Sequence, residues 1–373
     1  MESTKLIEFV YGLEDGGAET LVKDYALLID KKAFDLSVVV IRNSRSTANV
    51  RALQKGNIQV TPVFQHWNLF TKAVFLLFGR WYVPYRLRKI IRKEKPQALH
   101  VHMALLRYLP GIGRGLDGIR LFYTCHSIPS AYFGSKRRSD KKAAEYLIRH
   151  NKLQLIALHE DMAKELNAMF GVDNTVVIRN GIDFSRFRDL QLTSSDKRRA
   201  LGIPQDAFVL GHVGRFMKPK NHPFLVEIFN AVAKRNKDAF LLMLGLGDTS
   251  YVESKLAEYG LADRYMILSN RSDVNEIMRT MDVFVFPSLY EGLPLVLVEA
   301  LVSGLRCIAS DTINKEAFLT EDTISLPLGS AEKWADVILD NTIKSDYHGC
   351  LDDYDMNKEI LRLQKLYAGE WDE

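Results

Sequence analysis

The sequence predicts an α/β protein made of two Rossmann-like, parallel-sheet domains facing each other across a cleft. Three observations lead there. Short apolar, β-branched runs alternate with segments of helical periodicity along the whole chain. The alternation runs through once before Asn180-Gly181 and begins again after it. The 373 residues suffice for two domains at roughly 100–200 residues each. Strands that alternate with helices lie parallel, because the helix carries the chain back to the starting edge.

The elements follow in order. Leu6–Tyr11 is a buried strand, followed by a glycine-bearing loop and a helix from about Glu19 to Leu28. Leu36–Ile41 and Ile58–Val63 are the next strands. Pro84 suits the first turn of a helix carrying Leu87, Ile90 and Ile91 on one face, and Pro96 follows its end. Ala98–His102, Leu121–Cys125, Leu155–Leu158 and Val176–Ile178 complete the first series. Asn180-Gly181 is a turn signal and sets the boundary. Beyond it, Phe208–Val213, Phe240–Leu244, Met266–Leu268, Val283–Phe286 and Cys307–Ala309 read as strands. Helices fall between them, among them Pro223–Ala233 and Asn275–Met281. The amphipathic segment Tyr354–Tyr367 closes the chain. The domains are thus 1–180, joined by a final helix within 354–373, and 181–353.

The three cysteines, Cys125, Cys307 and Cys350, form neither a disulfide framework nor a CxxC metal site, which fits a reduced, cytoplasmic setting. Glu8 interrupts the apolar stretch Leu6–Val10, so a signal peptide is not expected. No uncharged apolar run approaches the roughly 20 residues that span a bilayer. The net charge of +4 divides into +12 over residues 1–180 (28 basic, 16 acidic) and −8 over the rest (22 basic, 30 acidic). No acidic residue occurs from Leu36 to Lys93, where eleven Lys and Arg do. A basic first half points to an anionic surface or ligand.

Residues just after strands carry the binding information in such sheets. Pro287 to Glu299 follows the strand Val283–Phe286 and opens a helix, with Pro294 suited to the first helical position. The free N–H groups of Leu295 and Val296, with the helix dipole, make a phosphate site. Glu299 lies one turn on, in an apolar helix where a carboxylate needs a partner. Glu291 lies in the loop before it, and both acids suit paired sugar hydroxyls. Gly211 to His222 contains the strand Phe208–Val213's end and places Arg215 and Lys220 where cations clamp a diphosphate and stabilise it as a leaving group.

With these motifs the chain resembles the retaining glycosyltransferases of family 4, which have the GT-B fold. The resemblance covers nearly the whole chain: Gly16-Gly17-Ala18-Glu19, His126 after a strand, Asn180-Gly181-Ile182-Asp183, Gly214-Arg215 with Lys220, and Glu291 with Glu299, seven residues between. It implies that Arg215 and Lys220 bind the donor diphosphate, Glu299 the ribose and Glu291 the hexose. Gly16 and Gly17 would allow close approach to the reaction centre. His126 would lie near the transferred sugar and Asn270-Arg271-Ser272 near the base, and Gly292, Leu293, Leu295 and Val296 would line the donor site. The closing helix would return to the first domain. The family uses mostly UDP-sugars and needs no metal or other cofactor. In keeping with that, no Asp-x-Asp follows a strand; Asp352-Asp353-Tyr354-Asp355 precedes the last helix. Two departures are His159, where a serine commonly starts a helix, and Arg306, where proline is common and the loop nearby could change.

Other features are read more plainly. Gly16-Gly17 does not form GxGxxG, which argues against NAD, and Gly245-Leu246-Gly247 is read as a turn. His100 and His102 are read as facing opposite sides of their strand, with structural roles and not as a metal pair. From Trp67 to Lys95, aromatic residues interleave with cations, describing an interfacial membrane surface; Lys136, Arg137, Arg138, Lys141 and Lys142 add a second basic cluster. No nucleic-acid-binding motif accompanies these cations. The function expected is transfer of a hexose or N-acetylhexosamine from a UDP-sugar to a lipid-linked or glycan acceptor, at the inner face of the cytoplasmic membrane, in exopolysaccharide or capsule assembly. The alternatives are a nucleotide-sugar epimerase or hydrolase of the same architecture, and a non-catalytic sugar-nucleotide-binding scaffold.

Overall fold

The computed structural model describes residues 3–371 apart from 15–16, 45–46, 135–137, 189, 191, 272, 292–293, 314 and 345–349. The chain forms two compact units, Met1–Asn180 with Asn357–Glu373, and Gly181–Met356.

The first unit runs β1 (Thr4–Val10), α1 (Gly17–Leu28), β2 (Phe34–Arg42), α2 (Ala48–Lys55), β3 (Gln59–Phe64), α3 (Leu69–Glu94), β4 (Ala98–His102), β5 (Arg120–Thr124), α4 (Pro129–Phe133), α5 (Arg138–Asn151), β6 (Gln154–Ala157), α6 (Glu160–Phe170) and β7 (Val176–Val177). Its strands form one sheet in the order β3-β2-β1-β4-β5-β6-β7, every pairing parallel. Helices cover both faces of such a sheet, so its strands are apolar almost throughout, as Val38–Ile41 is. His159 caps α6: its Nδ1 accepts the Met162 N–H at 3.3 Å, doing what a serine hydroxyl does elsewhere.

Helix α3 departs from the expectation that Pro84 opens a helix. It has 26 residues, and Pro84 lies inside it. Asn68 and Thr71 start it with a capping box, each side chain accepting the other's backbone N–H, at 3.0 and 2.9 Å. The Pro84 ring faces inward against Gly111, where a Cβ would come within 2.8 Å of it. Lys95 ends the helix in the left-handed conformation, and Pro96 prevents its continuation.

The second unit runs α7 (Ser185–Arg188), α8 (Ser194–Leu201), β8 (Phe208–Val213), α9 (His222–Arg235), β9 (Ala239–Leu244), α10 (Ser250–Glu258), β10 (Tyr265–Leu268), α11 (Val274–Met278), β11 (Val283–Phe286), α12 (Leu295–Val302), β12 (Arg306–Ser310), β13 (Thr323–Leu326) and α13 (Ala331–Leu339). Its sheet order is β10-β9-β8-β11-β12-β13, again parallel throughout. Alternate strand residues feed two cores. Val209, Leu242 and Phe284 meet α12 on one face; Leu210, Leu241 and Val285 meet α9 and α13 on the other. The edge strand β13 is not apparent from the sequence, because its four residues, Thr-Ile-Ser-Leu, lack an apolar run. Arg306 closes the end of α13, its guanidinium donating to the carbonyls of Val337 and Asp340 at 2.9 Å each.

The last helix, α14 (Met356–Ala368), follows a short 3₁₀ turn at Leu351–Tyr354, and from Asn357 it belongs to the first unit. Leu363 and Tyr367 are fully buried there. Cys125 and Cys307 are buried thiols and Cys350 is an exposed one. Among the described residues, no helix is long and apolar enough to cross a membrane.

Candidate functional site

In the second sheet the strand order reverses between β8 and β11, so the loops leaving these two strands diverge and open a crevice at their carboxyl ends. The two sequence motifs are those loops. Lys220 Nζ lies 2.8 Å from Glu291 Oε1, with side-chain exposures of only 15% and 18%. The same ammonium lies 4.6 Å from the centre of the Phe286 ring. The loops are joined through their backbones as well: Leu289 N–H donates to Pro219 O at 2.8 Å, and Asn221 Nδ2 donates to Pro287 O at 3.1 Å. Gly214 makes room for the lysine, since a Cβ there would lie 3.0 Å from its Cδ and Cε. Gly245 in turn makes room for Gly214, whose carbonyl oxygen would lie 2.0 Å from a Cβ at 245. The segment Gly245-Leu246-Gly247 is not the turn expected. It continues the β8–β9 ladder, with Gly214 N–H donating to Leu244 O and Phe216 N–H to Leu246 O, both at 2.8 Å. Glycine is needed there because two backbones approach closely.

Two imidazoles lie under this lysine. His212 donates from Nδ1 to Val285 O at 2.9 Å, and its ring stands 4.9 Å from that of His222, which stacks on Phe216. Burial pushes His212 down to about 3, helped by His222 and Lys220; burial and then the Lys220 charge push His222 down to about 4. Both are neutral at pH 7, so they pack beneath the lysine without adding charge to it.

Helix α12 begins at Leu295 with Pro294 as its N-cap, one position earlier in the helix frame than expected. Leu297 N–H reaches back to Pro294 O at 2.9 Å, and the N–H groups of Leu295 and Val296 belong to the first turn, which has no intrahelical acceptors for them. Glu299, on the second turn, is half-buried among Leu297, Val298, Ala300 and Leu301, which are buried. Arg215 is exposed on the loop beyond β8. Arg271 is bound to Asp273 by two contacts, at 2.8 and 2.5 Å, and Asp273 also holds Lys197 Nζ at 2.5 Å. Gly292 and Leu293 lie outside the described residues.

In the first unit Gly17 opens α1, and a Cβ there would meet open space, so the fold's own packing does not require glycine. Gly16 lies outside the described residues, as do Lys136 and Arg137. His126, just past β5, places Nε2 2.9 Å from Nδ1 of His102. His102 Nε2 lies 2.6 Å from Glu8 Oε2. His100 and His102 face the same side of β4, their ring centres 4.1 Å apart. The expectation of opposite faces is corrected by the pleat: neighbouring residues alternate, and residues two apart share a face. In the sequence Glu8 stands only as a break in an apolar run. The informative signal was a carboxylate inside a buried strand, which requires a partner.

The chain matches the family model described as Glycosyltransferase Family 4 over residues 15–186 and that described as Glycosyl transferases group 1 over residues 207–341. It is 29% identical over 347 residues to the putative glycosyltransferase EpsF of Bacillus subtilis, a match covering 90% of this chain and 86% of that one. It is 31% identical over 237 residues to the UDP-Gal:alpha-D-GlcNAc-diphosphoundecaprenol alpha-1,3-galactosyltransferase of Escherichia coli, covering 60% of each. Among solved structures it resembles a glycosyltransferase from Rickettsia africae, with a TM-score of 0.76, 16% identity and 99% of both chains covered. Anabaena HepE in complex with UDP and glucose superposes with a TM-score of 0.69 at 19% identity, over 99% of this chain and 96% of that one. With two parallel-sheet units matched by two such models, the chain belongs to the family 4 glycosyltransferases and has their GT-B fold.

Proposed function

We propose that this glycosyltransferase is a retaining, metal-independent enzyme that moves a hexose or N-acetylhexosamine from a UDP-sugar to a lipid-linked or glycan acceptor. The observation that carries this reading is the Lys220–Glu291 pair in the crevice between β8 and β11, beside the first turn of α12. A donor diphosphate accepts from Lys220, Arg215 and the N–H groups of Leu295 and Val296. Glu291, released from the lysine, accepts from hexose hydroxyls, and Glu299 accepts from the ribose. Arg271, held by Asp273, is read as lying near the base. HepE was solved with UDP and glucose, and the Escherichia coli relative is named for a UDP-sugar donor and a diphosphoundecaprenol acceptor, which supports the donor and acceptor classes.

In the reaction the acceptor oxygen bonds to the anomeric carbon and the bond from that carbon to the diphosphate breaks. The proton passes from the acceptor hydroxyl to the leaving phosphate, on the same face of the sugar. Lys220 and Arg215 offset the charge that develops on the leaving oxygen, which is the electrostatic task a metal performs elsewhere. The acceptor is read onto the first unit. There α3 exposes Leu76 (80%), Leu77 (68%) and Trp81 (65%), with Lys72, Arg80 and Arg92 exposed on the same helix. An exposed apolar and cationic helix in a stretch without acids suits the anionic inner face of the cytoplasmic membrane, where surface-polysaccharide intermediates are assembled.

The test is thermal stabilisation by nucleotides and nucleotide sugars with EDTA present. A ligand at 100 times its Kd adds about 2.7 kcal/mol. UDP and one UDP-sugar should raise the midpoint, and Lys220→Ala and Glu299→Ala should abolish the rise while folding normally. A flat response to every nucleotide would overturn the donor assignment. Binding with breakdown or isomerisation of the sugar and no transfer would favour the hydrolase or epimerase.

A further inference from the structure

A closed polar chain runs through the interior of the first unit. Glu8 on β1 and His100 and His102 on β4 each have 0% exposure. Tyr367 reaches them from α14, Thr124 from the end of β5, and His126 stands two residues beyond. A carboxylate at that depth is tolerated only when its oxygens are bonded. Here Oε2 takes His102 Nε2 at 2.6 Å, and Oε1 takes the Tyr367 hydroxyl at 2.8 Å.

The protons can be assigned one by one. Burial raises Glu8, but the charges and hydrogen bonds of His100 and His102 outweigh it and hold the carboxyl well below its usual range. An ionised carboxylate only accepts, so His102 carries its proton on Nε2. Burial pushes His102 down to about 4, so at pH 7 it is neutral and its Nδ1 bears a lone pair. His126 must then donate to it from Nε2. Burial and the neighbouring imidazoles hold His126 well below its usual range as well, so its own lone pair lies on Nδ1. Tyr367 gives its single proton to Glu8, which makes its oxygen the acceptor for His100 Nδ1 at 2.5 Å, and that same nitrogen also faces Glu8 Oε2 at 3.3 Å. His100 Nε2 is closed by Thr124 Oγ1 at 2.8 Å.

We propose that Glu8, His102 and Tyr367 are positioning residues for His126: they lock its ring in the Nε2–H tautomer, so that Nδ1 is presented as the acceptor for a hydroxyl of the transferred sugar. This rests on the reading that His126 lies near that sugar. The arrangement follows the logic by which a buried carboxylate selects a catalytic histidine's tautomer, extended here by one imidazole. The chain also ties the final helix to the reaction, because the Tyr367 hydroxyl bonds the carboxylate on which the other two depend. A metal ion is the other use for Glu8, His100 and His102, which lie within 4.8 Å of one another. Ligand atoms about 2.0–2.1 Å from one tetrahedral ion stand more than 3 Å apart. The 2.6 Å between Glu8 Oε2 and His102 Nε2 is a hydrogen bond, with no space for an ion between them.

Long-range proton–nitrogen NMR of the full chain labelled with 15N-histidine reads each ring's tautomer, and His126→Gln assigns the His126 signal. Wild-type His126 should be Nε2–H. Glu8→Gln lets the amide donate to His102 and frees both rings to reverse. His126 should then shift toward Nδ1–H, and kcat should fall by a factor of ten or more, with UDP affinity unchanged. Tyr367→Phe keeps the ring's packing against Phe122 and Phe34 and should give a smaller shift in the same direction, so it decides the matter if Glu8→Gln fails to fold. A wild-type His126 in the Nδ1–H form overturns the proposal, as does a folded Glu8→Gln with wild-type tautomer and turnover. Wild-type turnover in His126→Gln would instead remove His126 from the reaction, whatever the tautomer.

Discussion

Beside Lys220, burial and a neighbouring charge decide the protonation of two imidazoles. His212 and His222 are neutral there because burial and the lysine disfavour their charged forms, and this makes the second unit sensitive to acid. Their folded values, about 3 and about 4, lie below the 6.5 of a free imidazole. The unfolded chain therefore binds more protons between those values, and stability is fully present above about pH 6.5 and lost as pH falls toward 4. Between about pH 6.5 and about pH 4.5 each histidine contributes at most about 3 kcal/mol to that loss. Hydrogen exchange of β8 and β11 amides at pH 7 and pH 4.5 should show the opening free energy dropping. His222→Phe, which keeps a ring against Phe216, should flatten the drop; parallel slopes in the two proteins would count against this account. The sequence places Lys220 after a strand but carries no sign of the two imidazoles beneath it. His212 lies inside a strand and His222 at a helix start, and only packing brings both under one ammonium.

Among the elements, α3 is where sequence and structure part most. Pro84 read as a beginning, since proline suits a first helical turn. The capping box at Asn68 and Thr71 lies earlier and prevails, and the proline is accommodated where its ring meets Gly111. The consequence is an added set of helical turns, some of whose apolar side chains, Leu76, Leu77 and Trp81 among them, the fold leaves exposed. If these turns meet an anionic lipid surface, the full-length protein should sediment with vesicles containing phosphatidylglycerol, less so as salt rises, and weakly with phosphatidylcholine alone. Leu77→Ser with Trp81→Ser should weaken that binding at least about tenfold, since each exposed apolar side chain contributes on the order of 1.5–3 kcal/mol when buried. Unchanged binding in the double variant, or none in the wild type, would remove α3 from this role. The loops that meet beyond β8 and β11 were legible by contrast, because a strand, a glycine, spaced cations and a helix start are local signals.

At the scale of the whole molecule, a seven-stranded and a six-stranded sheet each reverse their strand order at one place, and the chain's last helix returns to the first unit. That return is an apolar anchor as well as a source of Tyr367: Ile360, Leu363 and Leu366 are buried along it. Leu363→Ala should therefore cost about 2–5 kcal/mol, read as loss of protection in β1 and β4. A cost below about 1 kcal/mol would mean that α14 only lies on the surface. The amphipathic period of this segment was plain in the sequence. Its contacts were not, since Tyr367 and Glu8 stand 359 positions apart.

Alternation of strand and helix determined the parallel sheets from the sequence alone, because periodicity records which side of an element is buried. The order of cations, glycines and carboxylates likewise pointed to the loops beyond β8 and β11, since residues that bind at a sheet's carboxyl edge must follow strands. Tertiary structure alone decided which groups touch. It brought Lys220 to Glu291, bonded Glu8 to His102 across 94 positions, and put His102 against His126. Periodicity names a face and never its partner. Partners are chosen by packing between elements, where a buried charge is tolerated only beside the group that satisfies it.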